Sequence, residues 1–307
     1  MKKRGFWGLV LLCLLVVLAG CGSPTATSPA PATSAQLEVV VSFNAMREFA
    51  EAIGKDKVEI HTIIPDGTEP HDFEPKANDL ENLNTASVFI INGFGMEKAW
   101  VDKSLQVVDN KKLLIVEAAK GITPITNTDP DEIEEHGQYD PHVWLSIKGA
   151  EIEAKNIKDA FITADPANKA FYEKNYTEFY NQLEQLYNDF DPQFKSVSNK
   201  NFVTGHAAFA YLAQDFGLVQ NSVEDVFAEG EPSAKKLKEL TDYCQEHKIK
   251  TIFVEDMVSP KVSEALANEV GAKAEKIYTL ESKEDNKDYI QSMRDNLAKI
   301  YNSLKQN

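Results

Sequence analysis

From Leu37 onward, short β-branched and aromatic runs alternate with longer stretches in which apolar residues recur every three or four positions. The short runs are Leu37 to Phe43, Val58 to Ile64, Ser87 to Asn92 and Leu113 to Val116 in the front half. Asn201 to Thr204, Lys250 to Val254 and Lys273 to Tyr278 follow in the back half. The helical pattern covers Asn44 to Ile53, Asn78 to Leu83 and Met96 to Val107, and starts again near Ile147. It returns at His206 to Phe216, Ser233 to His247, Pro260 to Glu269 and Asp288 to Leu304. Strand-then-helix alternation of this kind predicts parallel sheets with helical cover.

Between the halves the pattern changes. Asp165-Pro166 supplies an N-cap and a first-turn proline, and an aromatic-rich stripe follows through Tyr172, Tyr176, Phe179, Leu183, Leu186 and Tyr187 to about Phe194. At 1.5 Å per residue, roughly 28 residues make a rod of about 40 Å. A stripe this rich in aromatics suits packing on flanking domains better than a coiled-coil partner. The expected architecture is α/β with two lobes, residues 36–164 and 198–307, each a mainly parallel sheet with flanking helices. One long rigid helix, 165–197, joins them.

The N-terminus gives an address. Lys2, Lys3 and Arg4 precede an apolar run, Phe6 to Leu18, too short for a spanning helix. Residues 1–20 read as a signal peptide, and Leu18-Ala19-Gly20-Cys21 resembles a bacterial lipobox in which Cys21 is acylated. Two acyl chains suffice for stable anchoring. Gly22 to Ala35 is small, polar and proline-punctuated, so residues 21–35 read as a lipidated cysteine and a disordered tether. The expected location is the extracellular face of the cell membrane.

Composition narrows the partners. The net charge is −16, and losing the signal's three cations takes it to −19. That argues against nucleic acid. After processing, Cys244 is the last thiol, so no disulfide forms within the chain, and its helical setting predicts an inert, buried position. A monomer is expected.

Candidate chemistry sits on three histidines, each in a turn-flanked segment. His71 lies in Gly67-Thr-Glu-Pro-His-Asp-Phe-Glu-Pro75, His142 in Asp140-Pro-His-Val-Trp-Leu-Ser146, and His206 in Val203-Thr-Gly-His-Ala-Ala-Phe209. A lone histidine is usually a satisfied or solvated imidazole. Three at the ends of elements invite convergence on one metal, and with a carboxylate they would make a tetrahedral zinc site. His61 reads as a structural mid-strand residue and His247 as a surface one in a last helical turn. His136 lies in the acidic stretch before His142, where a metal-collecting role is doubtful.

These segments, with Glu231-Pro-Ser233 and Val258-Ser-Pro-Lys261, occur in an order that resembles the metal-binding lipoproteins of zinc/manganese ABC importers, the cluster A-I solute-binding family. The likeness spans the mature chain and is nearest to zinc-specific members from Gram-positive bacteria. It implies an ABC permease as partner and His71, His142 and His206 as ligands. Glu281, in Tyr278-Thr-Leu-Glu-Ser282, matches a fourth ligand, in place of the aspartate of an Asp-Pro pair in many relatives. Glu255 and water are the substitutes. Three nitrogens and one carboxylate favour Zn²⁺ over Mn²⁺, which is the runner-up. Two ligands from each lobe would let the metal cross-link the lobes, with small movements limited by the long helix. The alternatives are an extracellular zinc hydrolase, which needs an open coordination position, and an adhesin.

Overall fold

The computed structural model describes residues 36–71, 73–127, 133, 137–228, 232–256 and 259–306. The signal peptide, Cys21, the tether, His136, Glu231 and Val258 lie outside the described residues.

The first sheet contains β1 (Leu37–Val41), β2 (Val58–Thr62), β3 (Val88–Ile91) and β4 (Leu114–Glu117), all parallel, in the order β2-β1-β3-β4. The second contains β5 (Asn201–Thr204), β6 (Val219–Ser222), β7 (Thr251–Val254) and β8 (Lys273–Lys276), in the order β6-β5-β7-β8. Both sheets thus repeat one topology. In β3 every residue of Val-Phe-Ile-Ile is buried, because helices cover both faces of a central parallel strand. The expected α/β architecture is therefore what forms.

Helices α1 (Asn44–Gly54), α2 (Ala77–Thr85) and α3 (Val101–Val107) belong to the first sheet. The first lobe also contributes α4 (Ile147–Ala164), whose N-cap Ser146 accepts from Gly149 N through its hydroxyl. The rod is α5 (Lys169–Ser196), 28 residues, preceded by a 3₁₀ turn over Pro166–Asn168. The second sheet carries α6 (Ala210–Phe216), α7 (Ala234–Glu246) and α8 (Pro260–Val270), and the chain closes with α9 (Tyr289–Leu304).

Three local readings differ from expectation. β6 is a polar edge strand, Val-Gln-Asn-Ser, with no apolar alternation to reveal it. The predicted helix from Met96 shrinks to α3, since the chain forms successive turns from Phe94 to Trp100 before the helix starts. The helix predicted from His206 begins at Ala210, leaving His206 on the turn after β5.

The rod does what its stripe requires. Tyr172, Asn175, Phe179, Leu183, Leu186, Phe190 and Phe194 are buried, three or four residues apart, on one face. Phe179 meets Phe49 of α1 at 5.8 Å, while Phe194 meets Phe216 of α6 at 4.9 Å and Tyr301 of α9 at 6.0 Å. The apolar core is consequently continuous from β1 and β3 through α5 to Phe202, Phe253 and Leu297. We predict that Phe194→Ala costs about 3–5 kcal/mol, the usual penalty for emptying a buried aromatic site. Thermal unfolding of the metal-free variant should stay a single transition at lower temperature; two separated transitions would show that the lobes do not share one core.

Candidate metal centre

Each candidate side chain leaves the carboxyl end of a strand or a loop packed there, where open α/β sheets form crevices. His71 lies on the irregular segment after β2, His206 two residues past β5, and Glu281 five residues past β8. His142 sits just before a 3₁₀ turn, Val143–Leu145, that leads into α4. All four are buried, with His142 wholly inaccessible.

His71, His142 and Glu281 offer one donor atom each within 4.8 Å of one another, a grouping that could hold a metal ion. Glu281 Oε1 lies 3.6 Å from His142 Nε2 and 3.9 Å from His71 Nε2. His206 stands beside this trio, its ring centroid 5.2 Å from that of His142. His142 Nε2, both ring nitrogens of His206 and Glu281 Oε1 have no hydrogen-bond partner among the described residues. Buried polar atoms left in this state, facing one another, call for a bound cation.

Neighbours fix the orientation of each group. Asp140 Oδ1 accepts from His142 N at 2.9 Å and lies 2.8 Å from His142 Nδ1. That contact directs the Nδ1–H at the carboxylate as donor and leaves Nε2 for the site, the arrangement typical of metal-binding imidazoles. The Thr279 hydroxyl donates to Glu281 Oε2 at 2.8 Å, which turns Oε1 toward the histidines. Phe227, from the second lobe, covers the His71 ring edge-on at 5.1 Å. Leu280 is buried with φ at 60°, a strained backbone for a leucine, and this torsion helps aim Glu281 inward.

Glu255 plays another part. Its Oε1 accepts from Gly205 N at 3.1 Å and His206 N at 3.4 Å, so it braces the His206 turn from behind. A Cβ at position 205 would come within 2.0 Å of Glu255 Oε2, which is why glycine precedes this histidine.

The charges divide sharply. Burial raises the pKa of Glu281, yet the imidazole of His142 close beside it and the charges of His206 and His71 outweigh it and hold the carboxyl at about 2. Burial lowers that of His142, but Asp140 and Glu281 dominate and lift the imidazole to about 9. His206, desolvated and beside His142, falls to about 4 despite Glu281. Burial pushes Glu255 up to about 8, against its hydrogen bonds from the backbone, so it is mostly neutral near pH 7.

The structure therefore brings His71, His142 and Glu281 together and sets His206 against His142. The motif Asp140-Pro-His142 was visible, but the bracing role of Asp140 was not assigned, nor were those of Thr279 and Leu280. An aspartate two residues before a candidate histidine was the one available signal. The segment that carries Glu281 is also held from the first lobe. Asn44 Nδ2 donates to Leu280 O at 3.0 Å, and Trp144 Nε1 donates to Thr279 O at 2.7 Å, so first-lobe residues grip its segment. Elsewhere, His61 is half-exposed with Nε2 3.6 Å from Asp79, and His247 caps α7 against Tyr243 at 4.3 Å. Cys244 is buried and desolvation raises its thiol to about 11.

Fold and site together define a class: a two-lobed α/β solute-binding protein whose metal crevice is built on one rigid helix. The chain belongs to the ZnuA family, zinc-uptake complex component A, whose family profile matches residues 39–303. That family is the solute-binding part of zinc transporters and not an enzyme. The chain is 37% identical to the high-affinity zinc uptake system protein ZnuA of Bacillus subtilis (strain 168), covering 99% of this chain and 98% of the relative. It is 32% identical to the zinc-binding lipoprotein AdcA of Streptococcus pneumoniae R6, covering 95% of this chain but 59% of AdcA. Among solved structures, the laminin-binding protein Lmb of Streptococcus agalactiae superimposes with a TM-score of 0.79 at 34% identity, covering 88% of this chain and 100% of that one. Lmb is described as bifunctional, with adhesin and metal-transporting activity.

Two outcomes follow for metal binding. Asp140→Asn should weaken affinity about 10–100-fold, the usual effect of losing an outer-shell partner, in a chelator-competition titration. The raised His142 pKa makes a proton the competitor. Above about 9 the imidazole is already neutral and affinity should be flat, whereas below it each pH unit should cost about tenfold. His206 adds no such competition at neutral pH, being neutral above about 4. Affinity unchanged between pH 6.5 and 8.5 would contradict this.

Proposed function

We propose that this protein is the extracellular, high-affinity Zn²⁺-binding lipoprotein that captures the ion and delivers it to the permease of an ABC importer. In this reading His71, His142, His206 and Glu281 are the four ligands. The single observation that carries it is the convergence of two buried imidazoles on one buried, ionised carboxylate, with a third buried imidazole against them. Three nitrogens and one oxygen suit a tetrahedral zinc ion, while a manganese site would be richer in oxygen. Glu281 is preferred to Glu255 because the latter spends Oε1 on two backbone N–H groups and is raised to about 8. Four protein donors leave no vacancy for the activated water that a zinc hydrolase needs.

Residues 1–20 act in this reading as the signal, Cys21 as the lipidated anchor and 22–35 as the tether. Residues 36–164 and 198–307 form the lobes on the helix 165–197, and the protein works as a monomer. A lipoprotein relative and a zinc-uptake relative of nearly the same length support the assignment.

Metal analysis of the purified protein checks it. One Zn²⁺ per chain is expected, with Mn²⁺ displaced at buffered free-metal levels. His206→Ala and Glu281→Ala should each weaken Zn²⁺ by more than about 100-fold, beyond the loss of an outer-shell partner. Preference for Mn²⁺, or full affinity in Glu281→Ala, would overturn the ligand set.

A further inference from the structure

The loop that carries His71 and the loop that carries Glu281 come from opposite ends of the chain, yet they touch each other directly beside the site. Asp66 is the junction. Its Oδ1 accepts from the backbone N of Lys283 at 2.8 Å and from Arg47 Nη2 at 3.2 Å, while its Oδ2 accepts from Arg47 Nη1 at 3.3 Å. One residue further, Gly67 N donates to the Ser282 hydroxyl at 2.9 Å. Gly67 has φ at 82°, so the chain turns there and both contacts fall on one side of the loop. Arg47 is itself anchored on α1, where its guanidinium also reaches Asn44 Oδ1 at 2.5 Å, and the Asn44 side chain holds Leu280 O. Lys283 Nζ adds a contact to Glu48 of the same helix at 3.3 Å.

We propose that Asp66 is a positioning residue, a latch that binds the His71 loop to the Glu281 loop so that the two ligands advance and withdraw together. This rests on the ligand set proposed above and adds how metal is retained. The shared core along α5 leaves little room for the lobes to swing, so the ion leaves by loop movement. The Asp66 contact is where such movement can begin: its side chain is 41% exposed and Arg47 19%, whereas the ligands are buried. A carboxylate that receives a backbone N–H and a guanidinium is a charge-assisted junction that water can invade without opening the core. Its strength therefore sets the release rate, while the coordination sphere is set by the buried groups behind it.

The experiment compares full-length wild type with Asp66→Asn and Asp66→Glu. Zn²⁺ release into excess chromophoric chelator is followed by stopped flow, and the visible spectrum of each Co²⁺-loaded protein reports the coordination sphere. Asp66→Asn should release Zn²⁺ about tenfold faster, since a charge-assisted contact is lost at a partly solvated site, with the Co²⁺ spectrum unchanged. Asp66→Glu should restore most of the retention. Ser282→Ala, which removes the adjacent clasp, should shift release in the same direction if Asp66→Asn folds poorly. Release within twofold of wild type in both Asp66→Asn and Ser282→Ala would overturn the latch. So would an altered Co²⁺ spectrum in Asp66→Asn, which would mean that the ligands themselves had moved. Failure of the wild type to bind one Zn²⁺ would instead sink the ligand assignment.

Discussion

The constraint from which the rest follows is the unbroken apolar seam along one face of the long helix. Tyr172, Phe179, Leu183 and Phe194 lie on that face, and both sheets bury their helices against it or against its neighbours. Binding proteins that clamp a ligand by hinging need a thin, flexible connection, whereas here the packed helix α5 runs between the sheets. A seam of aromatic side chains is costly to part, because each buried ring contributes a few kcal/mol. The lobes therefore share one continuous core, which opposes their parting.

Within that frame the site solves a problem of charge. A buried carboxylate with no counter-ion is strongly disfavoured, and Glu281 is kept ionised by the imidazoles around it. In the metal-free protein a proton on His142 supplies the opposing charge. A divalent ion bound at the proposed site would take over that role with more charge. The crevice thus holds its buried carboxylate beside an opposing charge without a metal.

Much of this was legible in the sequence, and the limits are physical. Parallel strands buried on both faces read as plain apolar runs, so β1, β3, β5 and β7 stood out, and the rod showed itself by an unbroken stripe. The edge strand β6 did not, since pairing on one side alone asks nothing of its side chains. The helix from Met96 was overdrawn because a periodicity count does not tell helix from the successive turns that run to Trp100. His71, His142 and His206 could be nominated from their loop positions, whereas Glu281 came from family likeness. Asp140 left a signal in its spacing from His142, whereas the bracing contacts of Glu255 and Asp66 join residues distant in sequence and only folded coordinates reveal them. The hold that Asn44 and Trp144 of the first half have on the segment of Glu281 was hidden for the same reason.

Leu280 carries a consequence of its own. Its side chain is sunk in the core while its backbone occupies a region that glycine enters freely and leucine does not. Glycine would accept the torsion and leave the apolar socket empty; valine or isoleucine would fill the socket and resist the torsion. Two opposed demands on one position leave few acceptable residues, so the sequence has little room to drift there. Tolerance to random substitution at that point should be as narrow as at the histidines, although the residue touches no ion.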